Sequence, residues 1–217
     1  MPRAFSTGNK QHPSGVQTLL FFGGDAKIMT WNDLKHNGRE RGNMDLRYPI
    51  GQFDWGGSTS PEHRKVWVRE IKGMPEKLRV AVQGLSHEQL DTAYREGGWT
   101  IRQVVHHLAD SHMNSYIRFK LALTEENPTI KPYDEQKWAA LHDSLTQDIE
   151  APLALIDGLH ARWVALLENM KDGDYLRTFY HPENQRTTSL EYAAGMYAWH
   201  GNHHISHITS ARERLGF

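Results

Sequence analysis

The chain contains no cysteine. That excludes disulfides, Cys-type zinc sites and a thiol nucleophile borne by the protein, so hard chemistry falls to histidine, carboxylate or a metal ion. Long apolar runs are missing too. Leu19-Leu20-Phe21-Phe22, near the start, is too short even for a signal-peptide core and leads into glycines and a charge. Neither sign of charge dominates: 25 Lys and Arg stand against 26 Asp and Glu, a formal net charge of -1, and there is no basic stripe to hold nucleic acid. No Ser-His-Asp pattern or phosphate-binding glycine loop is present. These absences predict a cytoplasmic protein with a small-molecule substrate, and neither nucleic acid nor membrane as partner.

At 217 residues the chain suits one domain with a sizeable core. Residues 1–43 are rich in Gly, Asn, Lys and Arg without a sustained period, which predicts a flexible extension. The texture changes at Met44, and a start of translation there is one explanation of the break. Residues 44–217 read as the domain. An extended lead-in, punctuated by Pro49 and Gly51, runs to a Gly-Ser turn at 56–60. Ser60-Pro61-Glu62 starts a helix to about Gln83, which Gly73 and Pro75 are expected to kink or split. Ser86 begins a helical turn, and Thr100 caps a long helix over 101–124. The stretch 125–150, with Pro128 and Pro132, reads as a long connection with a short helix near 136–141, long enough for a crossover as well as a hairpin. A third helix over 151–170 buries Ile156, Leu159, Trp163, Leu166, Leu167 and Met170. A loop or small hairpin over 171–187 then leads to a capping box, Thr188-Ser189-Leu190-Glu191, and the last helix. The fold class is all-α.

What the chain has in quantity is histidine, 14 in all, four of them in Trp199-His200-Gly201-Asn202-His203-His204-Ile205-Ser206-His207. The pairs His200/His204 and His203/His207 carry the four-residue spacing that stacks side chains on one helix face. Ala193, Met196, Tyr197, Ile208 and Ala211 form an apolar stripe with His200 and His204 in its middle, so those two imidazoles face the core. His207 lies beside the stripe, and His203, further round, reads as solvated. Core-facing neutral imidazoles need partners for both ring nitrogens, which a metal ion and an acceptor behind it supply. On the second helix an apolar stripe of Ile101, Val104, Val105 and Leu108 adjoins a polar one of Gln103, His107, Asp110, Ser111 and Asn114, either a solvent face or the lining of a pocket. Of His106, His107 and His112 only His107 belongs to that polar stripe. Helix geometry thus selects His107, His200 and His204, and three histidines plus water compose an open, catalytic zinc-type site. Asp110, one turn on, is placed to orient an imidazole or accept a proton, or simply to face solvent. His181 reads as a surface-loop histidine rather than part of a pocket mouth, and Tyr133 and Glu135 have no geometric warrant.

The segments Gly98-Trp-Thr-Ile-Arg-Gln-Val-Val-His-His-Leu-Ala-Asp-Ser-His-Met-Asn-Ser-Tyr, Pro128-Thr-Ile-Lys-Pro-Tyr, Phe179-Tyr-His-Pro and the final Trp-His-x-x-His-His-Ile-x-His-Ile resemble the DinB/YfiT-like metal-dependent hydrolases in order and spacing, from about Asp45 to Gly216. The resemblance implies a four-helix bundle, here with a long connection between the second and third helices. It also implies a cytoplasmic homodimer and one divalent ion per subunit, zinc or nickel, held by three histidines. The histidine of the family's His-x-x-Asp segment matches His107, and its last-helix pair matches His200 and His204. Many relatives carry Gly-Gln where this chain has Ser206-His207, which makes His207 either a group behind the ligands or an alternative ligand.

A divalent ion with an open position lowers the pKa of bound water, polarises a carbonyl or binds a thiolate. The first two give a hydrolase, the family's customary label. The third gives a thiol S-transferase that joins a low-molecular-weight thiol to an electrophile. A non-catalytic metal-binding bundle is the remaining alternative.

Overall fold

The computed structural model describes residues 45–56 and 59–217, and the backbone of two short strands. Those strands, β1 (Leu19–Leu20) and β2 (Met29–Thr30), pair antiparallel within the unit Met1–Asn43. The expectation of a flexible extension over 1–43 otherwise falls outside the described residues.

Within the unit Met44–Phe217 the elements run α1 (Pro61–Val82), α2 (His87–Leu90), α3 (Ile101–Thr124), α4 (Glu135–Ala139), α5 (His142–Thr146), α6 (Glu150–Glu168), α7 (Asp172–Tyr175), the hairpin β3 (Thr178–His181) and β4 (Arg186–Ser189), and α8 (Leu190–Leu215). Side-chain oxygens set three of the long helices: Ser60, Thr100 and Ser189 each accept from the backbone N–H three residues on. The cap of α8 is therefore Ser189, not Thr188 as the sequence pattern suggested. Glu191 does not close a box back onto the chain because Arg64 Nε of α1 takes its carboxylate at 2.6 Å. Pro75 neither ends nor splits α1. It withholds the N–H that would have met the Ile71 carbonyl four residues back, and His160 Nδ1 of α6 lies 2.6 Å from that oxygen instead.

The four long helices form the expected bundle. Each of α1 and α3 packs on both α6 and α8, so α1 stands diagonal to α3, and α6 to α8. Ion pairs and hydrogen bonds fix the directions. Arg64 at the start of α1 reaches Glu191 at the start of α8, and Arg102 at the start of α3 donates to the Gln147 carbonyl just before α6, so those two adjacent pairs run parallel. Arg79, late in α1, meets Asp157 early in α6, an antiparallel pair. The long connection 125–149 is thus a crossover that returns the chain along the bundle, carrying α4 and α5.

The buried apolar side chains fall into two clusters. One holds Ile71, Phe119, Trp163, Leu167, Leu190 and Tyr197, and the other Met74, Leu78, Leu108, Leu153, Ile156 and Ile208. Between them, at the waist, each of α3, α6 and α8 turns a buried or half-buried histidine inward: His112, His160 and His200. Gly195 and Gly201 let α8 approach α1 closely, since a Cβ on Gly201 would stand 2.8 Å from Met74 Cγ.

Candidate metal centre

His107 of α3 meets His200 and His204 of α8 where the two helices run antiparallel. One potential ligand nitrogen from each of the three lies within 4.8 Å of the others, and the Nε2 atoms of His107 and His200 are 3.3 Å apart. Two nitrogens each about 2.0–2.1 Å from one tetrahedral ion stand roughly 3.3–3.4 Å apart, so that spacing fits a shared first-row cation. The fit rests on donor chemistry as well. Burial, reinforced by the neighbouring imidazoles, pushes His107 down to about 3 and His200 and His204 well below the usual histidine range, so all three offer lone pairs at neutral pH. His200 keeps a partly exposed edge, yet its ring is packed among His107, His112 and Tyr197.

A second set of nitrogens, on His203, His204 and His207, also lies within 4.8 Å of one another. His203 is buried, contrary to the expectation from helix periodicity. The lead-in 45–56 covers that face of α8, with Tyr48 at 5.9 Å from the His203 ring, and Trp199 stacks on it at 4.4 Å. Burial first, then His207, lowers His203 to about 3, and its Nδ1 has no hydrogen-bond partner. His207 Nε2 lies 3.1 Å from the Arg47 carbonyl of the same lead-in, its Nδ1 3.3 Å from His204 Nδ1, and Tyr94 stacks on its ring at 4.1 Å.

His203, His204 and His207 line a cleft of about 270 Å³ whose walls also include Arg47, Tyr48, Arg95, Trp99, Glu135 and Gln136. Trp99 covers His107 at 4.6 Å between ring centres. The polar stripe on α3 is thus interior rather than solvent-facing at Gln103, His107 and Ser111: Gln103 donates to the Ala139 carbonyl and Ser111 Oγ lies 3.3 Å from Tyr197 Oη. Asp110 does not join this group. Among the described residues no metal-compatible cluster includes it; burial, with Asp143 facing it, raises its carboxyl to about 6. His181 ends β3, paired with Arg186, where its Nδ1 accepts from the Asn184 N–H, and the walls of the cleft do not include it. Glu135, for which sequence offered no reason, is at the cleft because the crossover brings α4 there.

Two further histidines lie behind the centre: sequence reasoning sets His112 aside as off the polar stripe and does not single out His160. His112 Nε2 lies 3.2 Å from His200 Nδ1, and His112 Nδ1 lies 2.9 Å from His160 Nε2. Both are buried. The available sign was an imidazole at a core position, with His160 four residues after Ile156 and three before Trp163.

The chain has known relatives. A protein of Bacillus mycoides named "Putative metal-dependent hydrolase" is 56% identical over 173 residues, covering 80% of this chain and 99% of its own length. "Putative metal-dependent hydrolase YfiT" of Bacillus subtilis is 52% identical over 174 residues, covering 80% and 98%. The solved structure of YfiT, described as "a probable metal-dependent hydrolase with an unusual four-helix bundle topology", superposes with a TM-score of 0.78 at 53% identity, over 79% of this chain and 98% of that one. The sequence profile of the DinB superfamily matches residues 70–208, a span that contains all three converging histidines, and the chain belongs to that superfamily.

Proposed function

We propose that the protein is a metal-dependent enzyme of the hydrolase type, acting on a small polar molecule, with His107, His200 and His204 as the ligands of one zinc or nickel ion. The observation that carries the reading is the convergence of three neutral imidazoles from two antiparallel helices, beside a cleft that His204 lines. When bound there, a divalent ion supplies Lewis acidity toward water, a carbonyl or a thiol. Three protein ligands leave room for a substrate, which a structural site closed by four does not. The chain's own residues do the rest. Trp99 covers His107, Tyr94 stacks on His207 behind the ligands, and Arg47, Arg95, Glu135 and Gln136 give the cleft a polar rim that favours a substrate with charged or hydrogen-bonding groups.

Metal analysis of His107→Ala, His200→Ala and His204→Ala tests the ligand set: each variant is expected to lose the bound ion, and full stoichiometry in all three overturns it. The loaded protein should hydrolyse an ester or amide without added thiol. Consumption of a supplied thiol only together with an electrophile, with a sulfur-to-metal charge-transfer band in the Co(II) protein, reassigns it as a thiol transferase. Neither reaction above the metal-free control makes the bundle non-catalytic.

A further inference from the structure

Each neutral imidazole carries one N–H and one lone pair, so a ring nitrogen held against a carbonyl oxygen fixes which is which. Ile71 O has lost its helical donor to Pro75 and accepts from His160 Nδ1, so His160 Nε2 is the bare nitrogen. His112 must then donate from Nδ1 to His160 across 2.9 Å, which leaves its own Nε2 bare. His200 in turn donates from Nδ1 to His112 across 3.2 Å, and the lone pair of His200 is forced onto Nε2, the atom that lies 3.3 Å from His107 Nε2. A shorter string does the same for the other α8 imidazole. Arg47 O accepts from His207 Nε2, His207 Nδ1 is bare, and His204 donates to it from Nδ1, leaving His204 Nε2 free.

We propose that His112 and His160, anchored on the Ile71 carbonyl, and His207, anchored on the Arg47 carbonyl, are positioning residues that lock His200 and His204 in the tautomer whose Nε2 lone pair faces the candidate metal centre. Both strings end on carbonyl oxygens, which have no proton to pass on, so they are locks rather than proton wires. Pro75 belongs to the device, because an N–H at that position would compete for the carbonyl on which His160 depends. The inference rests on the proposed ligand set, but its first readout needs no metal. In the metal-free chain His200 Nε2 is an acceptor, so His107 donates to it from Nε2; on loading, His107 is the only one of the three ligands that must change tautomer.

The test is long-range nitrogen-15 NMR of the histidine rings. In the metal-free protein it should give Nδ1–H for His112, His160, His200 and His204 and Nε2–H for His107 and His207. Replacing His160 with Leu removes the acceptor for His112 while keeping an apolar core. His200 is then expected to show a mixture of tautomers, and affinity for Zn(II), measured against a competing chelator, to fall about 10- to 100-fold, the range for groups behind a metal ligand. His160→Gln keeps an amide that can accept from His112 and donate to Ile71, and should restore both the single His200 tautomer and affinity to within about threefold of the original. A purely structural role for His160 would move the melting temperature without moving the His200 tautomer. Nε2–H on His200 in the unsubstituted protein overturns the lock even if metal binds. The expected tautomers with no metal bound would instead overturn the ligand assignment and leave the lock standing.

Discussion

Two glycines in long helices should respond to alanine with opposite signs. Glycine in a helix interior costs about 0.5–1 kcal/mol relative to alanine, and that gain is available at both sites. Gly158, on the exposed side of α6, has nothing within 4 Å of where a Cβ would stand, so Gly158→Ala should keep the whole gain. At roughly 2–4 °C per kcal/mol for a domain of this size, the melting temperature should rise by about 1–4 °C. At Gly201 the new methyl would meet Met74 Cγ at 2.8 Å and Met74 Cβ at 3.7 Å, with His112 Cε1 at 3.6 Å behind. Met74 is 2% exposed and cannot swing into solvent, so overpacking of about 1–3 kcal/mol outweighs or cancels the helical gain. The net is a loss of about 0–2.5 kcal/mol, and a gap between the two variants of about 1–3 kcal/mol. Thermal unfolding of the metal-free proteins, followed by circular dichroism at one pH, measures it. Combining Gly201→Ala with Met74→Ala should cost less than the two separately, because the methyl partly fills the space the thioether leaves. If Gly201→Ala melts as high as Gly158→Ala, the close approach of α1 and α8 is not a packing constraint and the reasoning fails.

Other outcomes follow from the ion pairs, the buried imidazoles and the lead-in. Removing Arg64, which holds the buried Glu191 carboxylate at 2.6 Å, should cost about 3 kcal/mol in Arg64→Ala, near the low end for one partner of a buried pair because each side chain still shows 12–13% of its surface; denaturant titration checks it, and a loss under about 1 kcal/mol refutes it. Unfolded histidine binds a proton near 6.5 but folded His203 and His207 only near 3 and 4, so between those values the unfolded metal-free chain holds more protons and stability rises with pH. Its melting temperature should therefore fall steadily from pH 7 to pH 5, and a flat profile would contradict the burial of these rings. A chain beginning at Met44 is expected to keep its melting temperature and metal. One beginning at residue 59 should lose stability, because Phe53 and Trp55 pack on Tyr192, Trp199 and Trp67.

Much of this fold is legible in the sequence because its signals are local. Ser60 with Pro61 and Thr100 before an apolar period mark helix starts that depend on neighbours within one turn. His200 and His204 could be oriented from α8 alone for the same reason. What stayed hidden depends on other segments. The exposure of His203 was misjudged because periodicity sees one helix, whereas its cover is the irregular lead-in some 150 residues earlier. The diagonal placement of α1 to α3 and of α6 to α8 could not be read either, since a connection's length permits a crossover without requiring it. His160 carries no local signal of its own on α6, and only the carbonyl orphaned by Pro75 gives its ring a purpose.

The diagonal connectivity also sets the order in which this molecule can be completed during synthesis. Of the successive long helices, α3 and α6 pack on one another, whereas α1 and α3, and α6 and α8, do not form main packed pairs, so α1 has to wait for α6 before it can dock. His107 emerges with α3, but its two companions lie 93 and 97 residues further on, in the last helix. A nascent or truncated chain stopping before residue 200 carries a single imidazole of the three and has no means of capturing an ion there. The centre is thus a late product of folding, assembled only when the final helix slots between α1 and α3, and an ion held by it would clasp α3 to the last helix made.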